Sequence, residues 1–346
     1  MSFLDGSISD FFGLDIGTGG IRVVKLAHPS NSLQTYAYMP LETKIALSDA
    51  KTDQQHIAQA VKTLVAKSGI RTKNAAVGLP SQRVFTTLVD IDRLDKGEMA
   101  KAINLQADAL IPTPIAESKI DWEVVGDSPK DKTKVEVLLT SVSNSYAETR
   151  LDMLESLGLN VIAFEPDNLA MVRSLAAPEV MQPQMILDMG NITTDLVITM
   201  NGAPRLTRTI STGYDTIIKA AAQNLNIDEA QATQFVSKFG LNAEKLEGQI
   251  FHAISGTIDL LMSEVDKSIK FFTTRYQDAK LDRIIVAGNA SSLPDFPVYI
   301  ANKFNVNVEV GNSWRNVSYG ADRQNELLAI SGQFAVAVGL AQRHGS

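Results

Sequence analysis

The hydrophobic pattern of the first 91 residues alternates between strand-like and helix-like stretches. Residues 12–27 are rich in Val and Ile around a glycine cluster and predict an extended segment, with residues 32–41 as its partner strand. Residues 54–67 carry apolar side chains at steps of three and four, which predicts an amphipathic helix. Strand patterns return at residues 75–79 and 84–91. This alternation predicts an α/β fold.

A second α/β block follows the first one. Pro112 and Pro114 end its first helix, because proline lacks an N–H donor and disfavours a helical residue before it. The polar stretch 126–134 predicts a hairpin loop. The predicted elements of this block are a helix over residues 96–111, strands over residues 120–125 and 135–141, and a helix over residues 146–157.

The opening pattern of the chain recurs in its second half. Residues 185–188 predict a strand that ends in an acid and a glycine turn, as the first strand does at Asp15. Asp188 is the equivalent acid, half a chain length further on, which suggests an internal duplication. The stretch 176–184 contains two prolines and predicts the domain boundary. Residues 248–278 predict one long helix laid against a sheet.

Composition narrows the class of protein. At 346 residues with 45% hydrophobic residues, the chain has the size of about two globular domains. A net charge of -7 argues against electrostatic binding to nucleic acid or anionic lipid. The absence of cysteine excludes disulfides and thiolate metal sites. The acidic start, with Asp5 and Asp10, is not a secretory signal, and there is no run of about 20 apolar residues, so we expect a cytoplasmic protein.

The first candidate motif is a strand that ends at an acid, followed by a glycine-rich turn and an arginine. Turns without Cβ atoms let backbone N–H groups converge on phosphate oxygens, and a carboxylate can orient hydrated Mg²⁺. Arg22 adds charge-assisted donors. Arginine at the third-glycine position excludes a dinucleotide fingerprint, and a plain glycine-rich hairpin is the alternative. The candidate residues are Asp15, Gly17, Thr18, Gly19, Gly20 and Arg22.

The second motif repeats the acid and glycine turn between two strands, and two facing turns of this kind can clamp a polyphosphate from both sides. Asp15 and Asp188 are the expected Mg²⁺ residues, acting through water. The other candidates in the second turn are Gly190, Asn191 and Thr193.

Two weaker motifs complete the set. A buried strand runs into the turn Gly288, Asn289 and Ala290, against which a flat base could lie. Glu165 ends a strand just before Pro166 and could position an attacking water. A favourable charge at a helix N-terminus is the alternative role for this acid.

Along the chain the four motifs follow one another as Asp-x-Gly-Thr, Glu-Pro, Asp-x-Gly and Ala-Gly-Asn. This order resembles the actin and sugar-kinase superfamily of ATP-binding proteins. Three further stretches make the chain similar to the PilM family, the actin-like proteins of type IV pilus assembly, over nearly its whole length. These stretches are residues 102–124, 154–173 and 334–341.

The resemblance implies an FtsA-like fold, with two ribonuclease-H-like domains around a nucleotide cleft that binds ATP and Mg²⁺. Further implied nucleotide contacts are Gly213, Gln231 and Gln234. The implied domains cover residues 1–182, with an inserted subdomain at about 83–158, and residues 183–346, with a subdomain at about 213–280.

The resemblance also implies a partner. Members of this family are held under the inner membrane by the cytoplasmic N-terminal peptide of PilN, and they link other pilus inner-membrane components to the motor. Contact with the membrane is then made only through partners. The peptide is expected in a groove by the inserted subdomain, at Ala107, Leu110, Ile111, Pro112 and Pro114.

The chain departs from the superfamily pattern at three places. Arg22 stands where a lysine is usual, Gln231 and Gln234 stand where a glutamate and a lysine are expected, and Asn289 replaces a glycine. The glutamines lose charge assistance, which weakens binding by roughly ten- to thirtyfold. We therefore expect ATP binding with weak or absent hydrolysis.

Two alternative functions stay open at this point. A small-molecule kinase of the same superfamily would need a base beside an acceptor pocket, and neither can be assigned from the sequence. An FtsA-like division protein would end in a basic amphipathic helix, unlike residues 342–346 here. We expect the apolar start, which includes Phe3, Leu4, Ile8, Phe11 and Phe12, to form a packed strap.

Overall fold

A computed structural model describes residues 8–177 and 179–343. Its strands are β1 (Phe12–Gly17), β2 (Gly20–Ala27), β3 (Ser32–Pro40), β4 (Asn74–Leu79), β5 (Val84–Asp92), β6 (Ser118–Asp127), β7 (Lys134–Ser143), β8 (Asn160–Pro166), β9 (Gln184–Met189), β10 (Thr194–Met200), β11 (Ala203–Ile210), β12 (Arg283–Gly288) and β13 (Asn307–Val310). Its α-helices are α1 (Thr43–Leu47), α2 (Lys51–Ser68), α3 (Lys96–Leu110), α4 (Asn144–Ser156), α5 (Asp167–Leu175), α6 (Tyr214–Leu225), α7 (Glu229–Phe239), α8 (Gln249–Arg275), α9 (Phe296–Phe304), α10 (Gln324–Ile330) and α11 (Ala335–Ala341).

Two sheets of five strands repeat one topology. The first sheet has the order β3-β2-β1-β4-β8, and the second has the order β11-β10-β9-β12-β13. In each sheet the first three strands are antiparallel, and the remaining two add in parallel. The duplication suggested by the two acid–glycine turns is therefore present in the fold. We call the sheets, with the helices packed on them, the first lobe and the second lobe.

The long helix α8 forms the spine of the second lobe. Its buried side chains recur at steps of three and four, as in Ile254, Ile258, Leu261 and Val265, and they cover one face of the second sheet. The helix starts after Gly248, whose φ of 73° lies in the left-handed region that favours glycine. The predicted long helix is thus confirmed, with ends within three residues of the expected ones.

A separate unit is inserted between β4 and β8. Its antiparallel sheet has the order β5-β7-β6, and α3 packs on one face of that sheet. Ile103 and Ala107 of α3 are fully buried against Val137 and Leu139 of β7. We call β5, β6, β7 and α3 the inserted unit. The expected range of the inserted subdomain, at about 83–158, also includes α4, whose Met153 and Leu154 pack in the core of the first lobe.

Two short helices, α5 and α11, pack together where the two lobes meet. The helix α5 follows the first sheet, and α11 lies close against it and against β1. A Cβ atom built on Gly339 of α11 would lie 1.8 Å from the carbonyl oxygen of Ala170 on α5. Ser174 donates across the same contact to the carbonyl oxygen of Ala335, at 2.7 Å. Only glycine fits at position 339.

We expect Gly339→Ala to lower the free energy of unfolding by about 3 kcal/mol, because the added methyl group must push α5 and α11 apart. Gly256→Ala is the matched control, since nothing lies within 4 Å of a Cβ built at that position in α8. This control should raise stability by up to about 1 kcal/mol, through helix propensity. Urea unfolding of both variants measures the difference. Equal stability of the two variants would contradict the close packing.

The apolar N-terminal strap is present in part. Phe11 and Phe12 are buried, and Ile8 packs beside Leu340, whereas Phe3 and Leu4 lie outside the described residues. In the expected boundary stretch 176–184, Gln184 already begins β9 and is 1% exposed. Among residues 8–177 and 179–343, no helix is both long enough and apolar enough to cross a membrane.

Candidate functional site

The two acid–glycine turns face each other across a cleft between the lobes. The first turn joins β1 to β2, and the second joins β9 to β10. A Cβ atom built on Gly19 would lie 3.0 Å from Oδ1 of Asn191, so the two turns almost touch. Asp15 and Asp188, at the ends of equivalent strands, line the same cleft. The duplication has thus produced one site from two copies of a hairpin.

Most of the expected nucleotide residues lie in the cleft, but some do not. Gly20, Gly213 and Ala290 are beside it without lining it, and Gln231 and Gln234 are exposed on α7 away from it. The expected residues that do line the cleft are Asp15, Gly17, Thr18, Gly19, Arg22, Asp188, Gly190, Asn191, Thr193, Gly288 and Asn289.

Arg22 is the only cation that lines the described part of the cleft. Its Nη1 lies 3.4 Å from Oδ2 of Asp15, and its guanidinium lies 5.0 Å from the centre of the Tyr38 ring. The Tyr38 hydroxyl donates to the carbonyl oxygen of Gly19 at 2.9 Å, so this ring supports both the arginine and the turn. Nε of Arg22 is buried without a hydrogen-bond partner.

The cleft concentrates negative charge around that single arginine. Burial and the carboxylates of Asp195 and Asp15 raise the pKa of Asp188 to about 7. Burial raises the pKa of Asp195 to about 6, although Thr209 donates to it. The pKa of Asp15 is also raised by burial, against the opposing effect of Arg22. A further cation bound beside these groups would stabilise their ionised forms.

Asp167 is a cleft acid that the sequence motifs did not select. Burial and the neighbouring carboxylates raise its pKa well above the usual value, and its Oδ1 is buried without a partner. A Cβ atom on Gly78 would lie 2.3 Å from that oxygen, so the glycine in β4 makes the space for it. A glycine inside a buried strand often marks such a close approach, so Gly78 was the feature of the sequence that could have indicated this acid.

Glu165, the expected catalytic acid, does not line the cleft. It is 5% exposed and accepts hydrogen bonds from Arg173 and from Arg343, at 3.1 Å and 2.9 Å. Arg173 also donates to the carbonyl oxygen of Gly339 at 2.7 Å. The carboxylate therefore ties β8 and α5 to the C-terminal segment, and the structure gives it no access to a reacting group in the cleft.

The cleft is narrow, with a volume of about 120 Å³. Small-molecule sites usually measure about 300–1,000 Å³. Hydrogen bonds also cross it: Gln82 donates to Thr193 at 3.1 Å, and Asn191 donates to Thr43 at 3.4 Å. A nucleoside triphosphate would therefore fit only after the lobes separate and these hydrogen bonds break.

The raised pKa of Asp188 predicts how stability depends on pH. Between its ordinary value of 3.8 and about 7, the folded state binds more protons than the unfolded state. The free energy of unfolding of the ligand-free protein should therefore fall as pH rises from about 4 to 7. Asp188→Asn removes the part of this dependence that comes from Asp188, while Asp195 and the other cleft acids keep their parts. This variant should be more stable than the parent at pH 8, by about 1–2 kcal/mol after allowance for solvent in the cleft.

Urea unfolding of both proteins between about pH 4.5 and 8 measures this effect, because the protonation of Asp188 differs between the folded and unfolded states over this range. Asp152→Asn is the control, because Asp152 is exposed on α4 outside the cleft. A parent protein whose stability rises over this range, in parallel with Asp188→Asn, would contradict the assignment.

A larger groove lies between the first lobe and the inserted unit. It has a volume of about 690 Å³. Tyr146 stands in its wall, with the Arg83 and Arg150 guanidinium groups 5.2 Å and 5.5 Å from the centre of its ring. The other lining residues are Asp49, Gln54, Gln82, Val84, Phe85, Ile111, Pro112, Thr113, Ser141, Ser143, Ser145 and Thr149.

The residues expected to contact a partner peptide divide into three groups. Ile111 and Pro112 line this groove. Leu110, which is 42% exposed, and Pro114 lie close by without lining it. Ala107 is fully buried in the core of the inserted unit, so no peptide can reach it. Ala107 follows Ile103 by four residues, a spacing that puts both side chains on the same, buried face of α3.

Comparison with known proteins bears on this architecture. The family of type IV pilus assembly protein PilM matches residues 13–345. A chain of the PilM–PilN type IV pilus biogenesis complex superposes with a TM-score of 0.83 at 22% identity, covering 97% of this chain and 99% of that one.

More distant structures share the fold. The ethanolamine utilization protein EutJ from Carboxydothermus hydrogenoformans gives a TM-score of 0.60 at 16% identity, covering 96% of this chain and 88% of that one. MreB5 of Spiroplasma citri bound to ADP gives 0.53 at 13% identity, covering 95% and 94%.

The duplicated lobes around a central cleft form an actin-like fold, which confirms the predicted fold class. Because the match covers residues 13–345, the chain belongs to the family of type IV pilus assembly protein PilM. The resemblance found in the sequence motifs is thereby confirmed.

Proposed function

We infer that this protein is a nucleotide-dependent scaffold of type IV pilus assembly. It would bind ATP with Mg²⁺ between its lobes and dock the cytoplasmic N-terminal peptide of a PilN-like membrane protein in the groove beside the inserted unit. The solved relative with a TM-score of 0.83 forms a complex with PilN. The chain would act in the cytoplasm at the inner face of the membrane, touching the bilayer only through partners and linking them to the motor.

The observation that carries the nucleotide proposal is the pair of facing turns. At Gly17, Gly19 and Gly190 no Cβ atom stands between the backbone and the cleft, so phosphate oxygens could approach backbone N–H groups there. Thr18 and Thr193 add hydroxyl donors from opposite sides. Nε of Arg22 has no partner within the described residues, and a phosphate oxygen would accept from it.

Magnesium fits the acidic side of the cleft. Asp15 and Asp188 would hold the ion through water, because Mg²⁺ keeps several waters and takes few protein carboxylates when phosphates are present. In the described ranges 8–177 and 179–343, no three Asp, Glu or His side chains converge as direct metal ligands. When bound, the ion supplies positive charge that offsets both the phosphates and these carboxylates.

Hydrolysis should be weak, because the expected catalytic acid is engaged away from the cleft. Asp167 lines the cleft instead, and burial and the neighbouring carboxylates raise its pKa, which favours the protonated form of this side chain. Glu165 is engaged with Arg173 and Arg343. The acid that the sequence motifs selected as catalytic is therefore not free to act as a base.

The proposed adenosine end of the site lies within the second lobe. Gly288 and Asn289 line the cleft, and Asn289 donates to Oδ1 of Asn191 at 3.0 Å. We propose that Gln231 and Gln234 of α7 contact the ribose and base when nucleotide is bound. The proposed domains keep the limits given by the resemblance: 1–182 with its insert at 83–158, and 183–346 with its subdomain at 213–280.

Titration calorimetry with the full chain tests both parts of this proposal. Millimolar Mg-ATP should give one binding site per chain and raise the unfolding temperature, and EDTA should abolish both effects. A synthetic peptide of the first residues of the cognate PilN-like protein should bind separately at another single site. Absence of heat and of thermal stabilisation with either ligand would refute the corresponding part.

A further inference from the structure

A further cavity lies where β5 of the inserted unit faces β11 of the second lobe. Its volume is about 410 Å³, within the range of about 300–1,000 Å³ that is usual for small-molecule sites. It adjoins the cleft at Thr193 and the larger groove at Phe85, since each of these residues lines two of the spaces. We call it the hydroxyl pocket, because its wall contains Thr86, Thr193, Thr207, Thr209 and Ser211.

The hydroxyl pocket forms between two strand faces that carry threonine. Residues two apart on a strand share a face, so Thr207 and Thr209 lie side by side on β11. Thr86 lies on the face of β5 that is turned away from the core under α3. Further along that face, Asp90 pairs with Arg275 of α8 at 2.7 Å, and the two units are in contact there. At the level of Thr86 they leave space between them.

Two buried polar atoms in residues of this wall have no hydrogen-bond partner among the described residues. They are Oγ1 of Thr86 and Oδ1 of Asn168 at the start of α5, and Asn168 as a whole is only 6% exposed. A buried oxygen without a partner is unfavourable, so native structures rarely leave one unpaired. The amide oxygen of Asn168 can only accept a hydrogen bond, whereas the hydroxyl of Thr86 can donate or accept. Hydroxyl groups of a ligand would satisfy both.

The charges around the pocket favour a neutral ligand. Arg208 is the one charged side chain among the described residues that line it, and its guanidinium pairs with Glu264 and donates to Oγ of Ser268 at 3.1 Å. Its charge is therefore already compensated. Thr209 donates to Oδ1 of Asp195 at 2.5 Å, so an anion in the pocket would lie near a carboxyl group. Both features disfavour a phosphate or carboxylate ligand.

We propose that the hydroxyl pocket binds a small neutral polyhydroxylated molecule, a monosaccharide or a cyclic polyol. Thr86 and Asn168 would hydrogen-bond its hydroxyl groups, and Val84 and Phe85 supply an apolar part of the wall for its C–H groups. This site differs from the proposed nucleotide and peptide sites, and binding to it requires neither of those ligands.

Saturation-transfer difference NMR on the full chain, without nucleotide or peptide, tests this proposal. The probes are glucose, ribose and myo-inositol, each applied separately at millimolar concentration and titrated to obtain a Kd. At least one of them should bind with a millimolar or lower Kd. Inorganic phosphate, added at the same concentration as a competitor, should not displace it.

Variants of the wall locate the bound probe. Thr86→Val keeps the shape of the side chain but removes the hydroxyl, so it should weaken binding by roughly two- to tenfold. Asn168→Ala removes the buried acceptor and should weaken binding at least as much. Thr87→Val is the matched control, because Thr87 is the next residue of β5 and does not line the pocket; it should bind as the parent does. Thermal unfolding checks that each variant is folded, and Thr207→Val replaces Asn168→Ala if that variant is not.

Three results would overturn the proposal. Absence of binding by all three probes would mean that the pocket holds water only. Equal affinity of the parent and the folded wall variants would place the bound probe elsewhere on the molecule. Displacement by inorganic phosphate would mean that the site selects an anion, contrary to the charges around it.

Discussion

Arg22→Ala should weaken Mg-ATP binding by roughly ten- to hundredfold, because a charge-assisted hydrogen bond contributes about 1.5–3 kcal/mol. Among the described residues that line the cleft, Arg22 is the one cation, and it lies among the carboxylates of Asp15, Asp167, Asp188 and Asp195. Its removal takes away the donor proposed to face the phosphates and leaves the acids without a neighbouring cation. Titration calorimetry measures the loss of affinity.

The conservative variant sharpens this prediction. Arg22→Lys keeps the charge but loses the planar group that lies over the Tyr38 ring at 5.0 Å, so its affinity should fall between those of the parent and Arg22→Ala. Unfolding curves establish that both variants are folded. Mg-ATP affinity equal to that of the parent in folded Arg22→Ala would show that the phosphates do not lie at this arginine.

Tyr146→Ala should weaken binding of the PilN-like peptide by roughly tenfold or more, as expected when a large aromatic wall of an interface pocket is removed. Its ring lies between Arg83 and Arg150, and its hydroxyl accepts a hydrogen bond from Nη2 of Arg150 at 3.2 Å. Removal of this side chain alters both the shape and the charge of the groove. Fluorescence anisotropy with a labelled synthetic peptide measures the affinity.

Leu105→Ala is the matched control for this measurement. Leu105 is 80% exposed on α3 and does not line the groove, so its removal should leave peptide affinity unchanged. If Leu105→Ala weakened binding and Tyr146→Ala did not, the peptide would lie on the outer face of the inserted unit instead of in the groove.

The turns of the cleft were predictable because their chemistry is local. An acid at the end of a strand, followed by glycine and hydroxyl residues, can be recognised from a stretch of about ten residues. Its recurrence at Asp188 reveals the duplication. The repeated strand order then brings both copies to one cleft. The motifs beyond the turns were less certain, because their positions depend on how helices such as α7 sit relative to the cleft.

The choice between Glu165 and Asp167 could not be made from sequence. The two acids flank Pro166, and which of them enters the cleft is decided by the register of β8 against β4, where Glu165 lies opposite Gly78. The buried hydrogen bonds of Glu136 with Arg205 and Arg275 were equally hidden. Arg205 and Arg275 are 69 and 139 residues away from Glu136 in the chain, and a glutamate inside an apolar strand signals only that some partner must exist.

A crystal structure of the full chain grown with Mg-AMPPNP tests the central claim most directly. The account predicts density for the triphosphate between Gly17 to Gly20 and Gly190 to Thr193, with a magnesium ion on the side of Asp15 and Asp188. The hydrogen bond between Gln82 and Thr193 should be broken. A triphosphate bound elsewhere, or crystals at saturating nucleotide in which the cleft keeps its closed hydrogen bonds, would contradict it.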